Sequence, residues 1–490
     1  MSISFEQPCY RYRAHNRPNH TPIHILEDDS LLNIFCFCRP VGWEKMGALS
    51  YRNLMDGEWS HERWWYKLVH VCQRWRYLIL GSASYLDLSL VCAHATPVAD
   101  MLANSPHLSH LPLIIDHFHG QHDVTAEVEE GIRLALQHRD RVRRIRLQMP
   151  VLNSQKLVLT MDAEFPLLEY LYITSMSKND TSITLPETFQ APQLRHLMLE
   201  SFALLIGSPL LTTVVDLVTL SLHDVPLSSY FHPNDLIYGV SLMPQLETLG
   251  VFLTRPISTH EIEKLPLRMP ITTHVTLPSL RWFGFKGANT YLGMILPRIT
   301  TPLLERLQLA FFHQLTSPDP HLSKFVSSTK SLRFGGIILV FHRKYIVLCV
   351  FPGDVAFDIG WTLWWKIRSH RLDRQVASVA QILHTLRTAL STVEYLTLMN
   401  GDGLHEEANR SQWSELLRSL GNVKTLRVFG SLVGQLSRCL RSDDTEPPME
   451  LLPKLKVLEY STTDDDASDA FASFIDARKN GGHPVALVRC

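Results

Sequence analysis

An eight-residue phrase, roughly Pro-x-Leu-x-x-Leu-x-Leu, constrains this chain more than any other feature. It recurs at Pro166 to Ile173, Pro192 to Leu199, Pro244 to Val251, Pro278 to Phe285, Pro302 to Leu309 and Pro453 to Tyr460. Without the proline it returns at Arg141 to Leu147, Leu217 to Leu222, Thr392 to Leu398 and Asn422 to Val428. The first apolar positions are 142, 168, 194, 217, 246, 280, 304, 393, 423 and 455, so successive phrases lie 26, 26, 23, 29, 34, 24, 89, 30 and 32 residues apart. Within a phrase, alternate apolar residues such as Leu197 and Leu199 describe a short strand with one inward face. No single unit can bury that face. Stacked units can, because each strand adds its backbone to the next in a parallel sheet while the return segments run along the outside.

The spacing resembles that of leucine-rich repeats, whose units run to about 20–29 residues. The step of 89 is then about three units, with one degenerate phrase visible at Leu332 to Phe334. The implied fold is α/β: a small all-helical module at 22–84, then an irregular leucine-rich-repeat solenoid over 85–485 with a curved parallel sheet inside and helices and loops outside. Residues 1–21 read as a flexible leading segment. Helical returns are expected at Arg374 to Leu390 and Ser411 to Leu420, and Ser258-x-x-Glu261 reads as a capping box. Strands are expected as early as Leu86 to Leu90 and Leu111 to Asp116. Gly335 to Trp365 breaks the period with a β-branched apolar run, leaving open either an inserted hairpin near 335–365 or a faulty gene model.

A chain of 490 residues with 45% apolar and 19% charged residues can bury a large core. Its net charge of −1 offers no global field for nucleic acid or an anionic membrane, so neither is expected as a partner. The first 20 residues lack an apolar stretch of secretory type, and the longest apolar run is interrupted by His342, Arg343 and Lys344. Eight irregularly spaced cysteines suit a reducing compartment, cytoplasm or nucleus, and Cys490 stands too late for a prenylation motif.

Asp116, His117, His119, His122 and Asp123 form the densest set of potential metal ligands, yet no second ligand group stands at readable distance. Cys36-x-Cys38 lacks the second half of a zinc or redox spacing, Gly335-Gly336 lacks the rest of a phosphate loop, and Asp464 to Asp466 lacks EF-hand spacing. Arg139, Arg141, Arg143, Arg144 and Arg146, alternating with Val142, Ile145 and Leu147, read as a solvated strand edge. No residue sits in a motif that makes it a nucleophile or general acid. No enzyme activity, cofactor or metal is expected.

Before the repeats, Asp28 to Phe35 suits a short amphipathic helix, and Trp64, Leu68, Val71, Cys72, Trp75 and Ile79 mark one helical face. So much Trp, Leu and Ile cannot be hidden within such a short segment, so part of it must meet a partner or the next domain. The pattern Pro22, Ile25, Leu26, Glu27, Leu31, Leu32, Ile34, Phe35, followed by Leu68, Val69, Val71, Cys72, Arg74 and Trp75, resembles the F-box. It departs from that family in lacking a Leu-Pro start and in a longer insert between the helices. Trp64 to Cys72 followed by Leu86-Asp-Leu is similar to F-box-like proteins abundant in mushroom-forming fungi.

The resemblance implies a non-enzymatic substrate receptor of a Skp-cullin-F-box ubiquitin ligase. A Skp-family adaptor, and through it a cullin-RING ligase, would bind at Pro22, Ile25, Leu26, Leu31, Leu32, Ile34, Phe35, Trp65, Leu68, Val69, Val71, Cys72 and Trp75. An unidentified protein target would bind the concave strand positions, foremost Tyr170, Tyr172, His196, Met198, Trp282, Arg306, Tyr395 and Arg427. Thr219, Ser221, Thr248, Gln308, Thr397, Thr425 and Glu459 share that face. The alternative is a leucine-rich scaffold without a ligase, its first helices serving as a cap.

Overall fold

The computed structural model describes residues 22–39, 63–93, 98–103, 108, 110–118, 124–176, 183–312, 320–353, 360–401, 407–440, 451–461 and 470–489. These divide into two compact units, 22–39 with 63–90, and 91–489.

Among the described residues, the first unit has the α-helices α1 (Asp28–Cys38), α2 (Trp64–Val69) and α3 (Gln73–Gly81). Asp28 and Asp29 stand in the first turn of α1, where negative charge offsets the partial positive charge of the free N–H groups. The face expected to run unbroken from Trp64 to Ile79 is split instead. Cys72 is extended, at φ −159° and ψ 168°, and the Arg76 Nε donates to the carbonyl of Val69 at 3.1 Å, satisfying one of the free carbonyls at the end of α2. The strand expected at Leu86 to Leu90 is also displaced. Residues 82–87 continue in turns, with Leu86 N–H on Ser82 O and Leu88 N–H on Ala83 O, and Asp87 sits at φ 51°.

The sheet strands are β1 (Leu90–Ala93), β2 (Leu113–His117), β3 (Val142–Pro150), β4 (Tyr170–Met176), β5 (His196–Glu200), β6 (Thr219–Val225), β7 (Thr248–Leu253) and β8 (Trp282–Gly287). They continue as β9 (Arg306–Phe311), β10 (Gly336–His342), β11 (Tyr345–Phe351), β12 (Leu363–Arg368), β13 (Tyr395–Asn400), β14 (Thr425–Phe429), β15 (Val457–Ser461) and β16 (Ala486–Arg489). In chain order β1 to β9 lie side by side, and β13 to β16 likewise; every pairing from β2 to β9 is parallel. This sequential parallel sheet, with helices in the returns, is the fold of a leucine-rich-repeat solenoid.

Register aligns the repeats. Leu171, Leu197, Leu220, Leu249, Phe283, Leu307 and Leu363 form one column of successive partners, and Ile173, Leu199, Leu222, Val251, Phe285, Leu309 and Trp365 form the next. All are buried. Helices close the other side of this core. The expected returns appear as Leu372–Thr385 and Arg410–Arg418, the second opened by an Asn409–Gln412 capping box, and the Ser258–Glu261 capping box is formed.

The backbone ladder continues one residue ahead of strands β4 to β9. Glu169 N–H donates to Arg143 O, Arg195 to Glu169, Val218 to Arg195, Glu247 to Val218, Arg281 to Glu247 and Glu305 to Arg281. Side-chain sign alternates along much of it, giving the ion pairs Arg143–Glu169 at 2.9 Å and Arg281–Glu305. Arg281–Glu305 is exposed and so adds little stability, whereas Arg143–Glu169 is half-buried; both favour correct alignment, because like charges would meet in mispaired repeats.

Gly335 to Trp365 is where the repeat departs from its rule. Leu332 to Phe334 forms no strand. Instead β10 and β11 form an antiparallel hairpin, β12 turns back beside β9, and the sheet runs β9-β12-β11-β10-β13. Three strands thus fill the 89-residue gap as a meander rather than as three repeats. The period-two apolar run makes β10 and β11 strands with one inward face: Ile337, Leu339, Phe341, Ile346, Leu348 and Val350 all enter the core.

The arginine run is likewise not a solvated edge. β3 lies between β2 and β4, and Arg144 and Arg146 are buried, Arg146 completely. Asp116 of β2 makes this possible: its two carboxylate oxygens accept from Arg146 Nε at 2.8 Å and Nη2 at 2.9 Å. The ring of Phe118 covers the guanidinium at 4.8 Å.

Candidate functional site

Two surfaces hold the residues singled out from the sequence. In the helical unit, Leu31 and Phe35 lie one turn apart and face inward, Phe35 meeting Trp75 edge-on at 4.8 Å between centroids. Trp65 is buried and its indole N–H donates to Ser89 O at 3.3 Å. Arg74 ties the start of α1 to α3 through Asp28 Oδ1 and the carbonyl of Leu26, both at 2.6 Å. Leu31, Phe35, Trp65 and Val69 are therefore core of this unit, and a partner cannot touch them without opening it. Leu26, Leu32, Leu68, Cys72 and Trp75 are half-buried.

Three of the expected contact residues stand in solvent: Ile25 (78% exposed), Ile34 and Val71 (57%). Phe37 (90%), Tyr77 and Tyr85 join them. Those three were missed in the sequence, although Phe37 stands three residues after Ile34, the spacing that places two helix residues on one side. The side chain of Pro22 lies outside the described residues.

The second surface is the open face of the sheet, opposite the leucine columns. One column reads Arg144, Tyr170, His196, Thr219, Thr248, Trp282 and Arg306; the next reads Arg146, Tyr172, Met198, Ser221, Gly250, Gly284, Gln308 and Trp364. Its first half is closed by its own side chains: Tyr170, Tyr172, Met198, Thr219, Ser221 and Trp282 are all buried. The glycines explain Trp282. A Cβ on Gly284 would stand 2.3 Å from the Trp282 ring and 2.8 Å from Phe252, so the indole and Phe252 occupy the space two side chains would have filled. His196, Thr248, Arg306, Gln308, Tyr395, Thr425, Arg427 and Glu459 remain half-buried, whereas Thr397 is buried. Arg427 Nε donates to its register partner Glu459 at 2.8 Å.

Burial sets the protonation of the first half. It pushes His196 down to about 3, helped by Arg195 and Arg144, and it pushes His223 down to about 3, with Lys286 adding to the fall and Asp224 opposing it. Both imidazoles are neutral near pH 7. His196 Nδ1 contacts Thr219 Oγ1 at 3.1 Å, and His223 stacks on Phe252 at 4.2 Å. Burial also raises Glu200 above the usual carboxylate range; the Tyr172 hydroxyl donates to it at 3.4 Å.

Ser221 Oγ lies 2.7 Å from His223 Nε2, with Glu200 the register partner of His223. A nucleophile must reach a substrate, and Ser221 is covered, so this set binds the sheet together rather than reacting. Among the described residues no three His, Cys, Asp or Glu side chains come together as metal ligands. Asp116 is taken by Arg146, and His119, His122, Asp123 and Asp464 to Asp466 lie outside the described residues. Cys36 and Cys38 are free thiols. No described helix is long and apolar enough to cross a membrane.

No protein-family model and no curated protein matches the chain. Among solved structures it is similar to TLR13 in a complex with ssRNA13, at 13% identity and a TM-score of 0.29, over 82% of this chain and 49% of that one. It is also similar to the leucine-rich-repeat protein LIC12759 of Leptospira interrogans, at 12% identity and a TM-score of 0.25, over 79% of this chain and 98% of that one. The chain thus spans about half the length of the first of these.

Proposed function

We propose that the chain is a non-enzymatic substrate receptor of a Skp-cullin-F-box-type ubiquitin ligase, docking a Skp-family adaptor through its helical unit and a target protein through the repeat sheet. The observation that carries this reading is the apolar surface of the helical unit. The described helices leave Ile25, Ile34, Phe37 and Val71 exposed, although Leu31, Phe35 and Trp65 already fill the core between them. Exposed apolar side chains of this density mark a surface made to be covered. The cover in this reading is the adaptor. The receptor then contributes proximity: a tethered target reaches a local concentration of roughly millimolar for a well-matched span, and the chemistry belongs to the conjugating enzyme.

The test is sedimentation of the purified chain with a recombinant Skp-family adaptor. A complex is expected, and Ile34→Asp with Val71→Asp abolishes it while leaving the fold intact, since both side chains are exposed. Absence of a complex, or a complex indifferent to this pair, overturns the adaptor reading and leaves an interaction scaffold that acts without a ligase.

A further inference from the structure

Across β8, β9 and β12, register places Lys286 beside Ala310 and Ala310 beside Lys366, all on the open face. The two lysines therefore stand two strand spacings apart, about 10 Å, and Arg368 follows Lys366 on the same face about 7 Å along β12. The three cations rest on rings: Lys366 Nζ lies 4.0 Å over Tyr345, while Lys286 and Arg368 lie 5.6 Å and 5.8 Å from the ring centre of Phe312. Asp224 meets Lys286 at 2.9 Å, brought there by a bulge in β6 that sets Asp224 at φ 44°. Among the described residues no carboxylate pairs with Lys366 or Arg368. The turn of the adjoining hairpin adds Arg343 and Lys344, both exposed.

This is a positive patch that Asp224 offsets at Lys286 alone among the three cations, beside a first half of the face packed by its own side chains. Lys366 carries the mark of that imbalance: its ammonium is held below the usual lysine value, first by burial and then by Arg368 and Lys286. Anions seated here gain from Lys366 and Arg368, in a site where rings exclude part of the water.

We propose that this patch binds an acidic peptide segment in extended conformation, with carboxylates at alternate residues seated on Lys366 and Arg368. Alternate side chains of an extended peptide lie about 7 Å apart on one side, which is the spacing of these two cations along β12. A nucleic-acid strand needs cations repeated along its whole path, and the neighbouring column continues instead as Met198, Ser221, Gly250 and Gln308. The proposal rests on reading the open face as the target surface and does not depend on the adaptor, so it is tested without one.

Fluorescence polarisation of the purified full chain is measured with labelled peptides of alternating Glu and Ser, of alternating Lys and Ser, and with oligouridylate. The acidic peptide is expected to bind, more weakly as salt rises, and to lose at least tenfold in affinity with Lys366→Glu plus Arg368→Glu. Lys366→Gln plus Arg368→Gln gives an intermediate loss that keeps the test decisive if the charge reversal unfolds β12. Lys324→Glu plus Arg387→Glu, the same charge change at exposed positions of the helical returns, leaves binding unchanged. Equal binding of both peptides, an equal loss in the return-segment variant, or tighter binding of oligouridylate overturns the proposal. None of these outcomes bears on complex formation with the adaptor.

Discussion

Removing Asp116 should loosen the start of the repeat sheet by an amount the structure sets. Arg146 is fully buried, and the two carboxylate oxygens of Asp116 accept from it at 2.8 Å and 2.9 Å. In Asp116→Ala the guanidinium keeps its charge and its place under Phe118 but loses that counter-charge. Breaking one side of a buried pair costs about 3–5 kcal/mol, because the remaining ion keeps its desolvation cost and loses the attraction of that partner. Replacing both members, as Asp116→Leu with Arg146→Met, removes the cause and should be nearly neutral. In a solenoid the loss stays near its site, so amide hydrogen exchange of β2, β3 and β4 is the assay of choice. Exchange there should speed up roughly a hundred- to several-thousand-fold in the single variant, by the factor of ten per about 1.4 kcal/mol. The double variant should exchange nearly as the parent does. A single variant within about threefold of the parent, or a double variant as fast as the single, refutes the argument.

Two further outcomes follow from the open face. Gly284→Ala forces a Cβ against Trp282 and Phe252 and should destabilise by about 1–3 kcal/mol in urea unfolding, a penalty that disappears in a Trp282→Ala background; equal penalties in both backgrounds would contradict the steric account. His196 and His223 bind protons near pH 3 when folded and near 6.5 when unfolded, so the unfolded state holds more protons between those values and stability falls as pH drops through that window. Each contributes at most about 1.4 kcal/mol per pH unit. His196→Gln with His223→Gln should flatten the fall in unfolding midpoint between about pH 6.5 and about pH 5, and an unchanged slope would show the imidazoles to be solvated.

The repeat was legible because its signal recurs: Leu168, Leu194, Leu217, Leu246, Leu280 and Leu304 follow one another at 23 to 34 residues, and each is buried. The meander was visible as an interruption but not as a topology, since a period-two apolar run says strand without saying which neighbour it will pair with. Arg146 was misread for a related reason. Its alternation with Ile145 and Leu147 placed it correctly on the open face, but that this part of the face is shut by Phe118, Tyr172 and Asp116 depends on residues far away in the chain. The charged ladder at Arg143, Glu169, Arg195 and Glu247 could have been found by aligning the phrases, because each residue follows the first apolar position of its unit. In the helical unit the apolar pattern named the residues yet not their division. Phe35 and Trp65 fill the core while Ile34 and Phe37 stay in water, a distinction fixed by how α1 meets α3.

The most direct test of the account is a hydrogen-exchange footprint of the full chain with and without a purified Skp-family adaptor. Slower exchange confined to α1, α2 and α3, with the sheet unchanged, is the predicted result. Exchange in those helices that is identical with and without adaptor would contradict it.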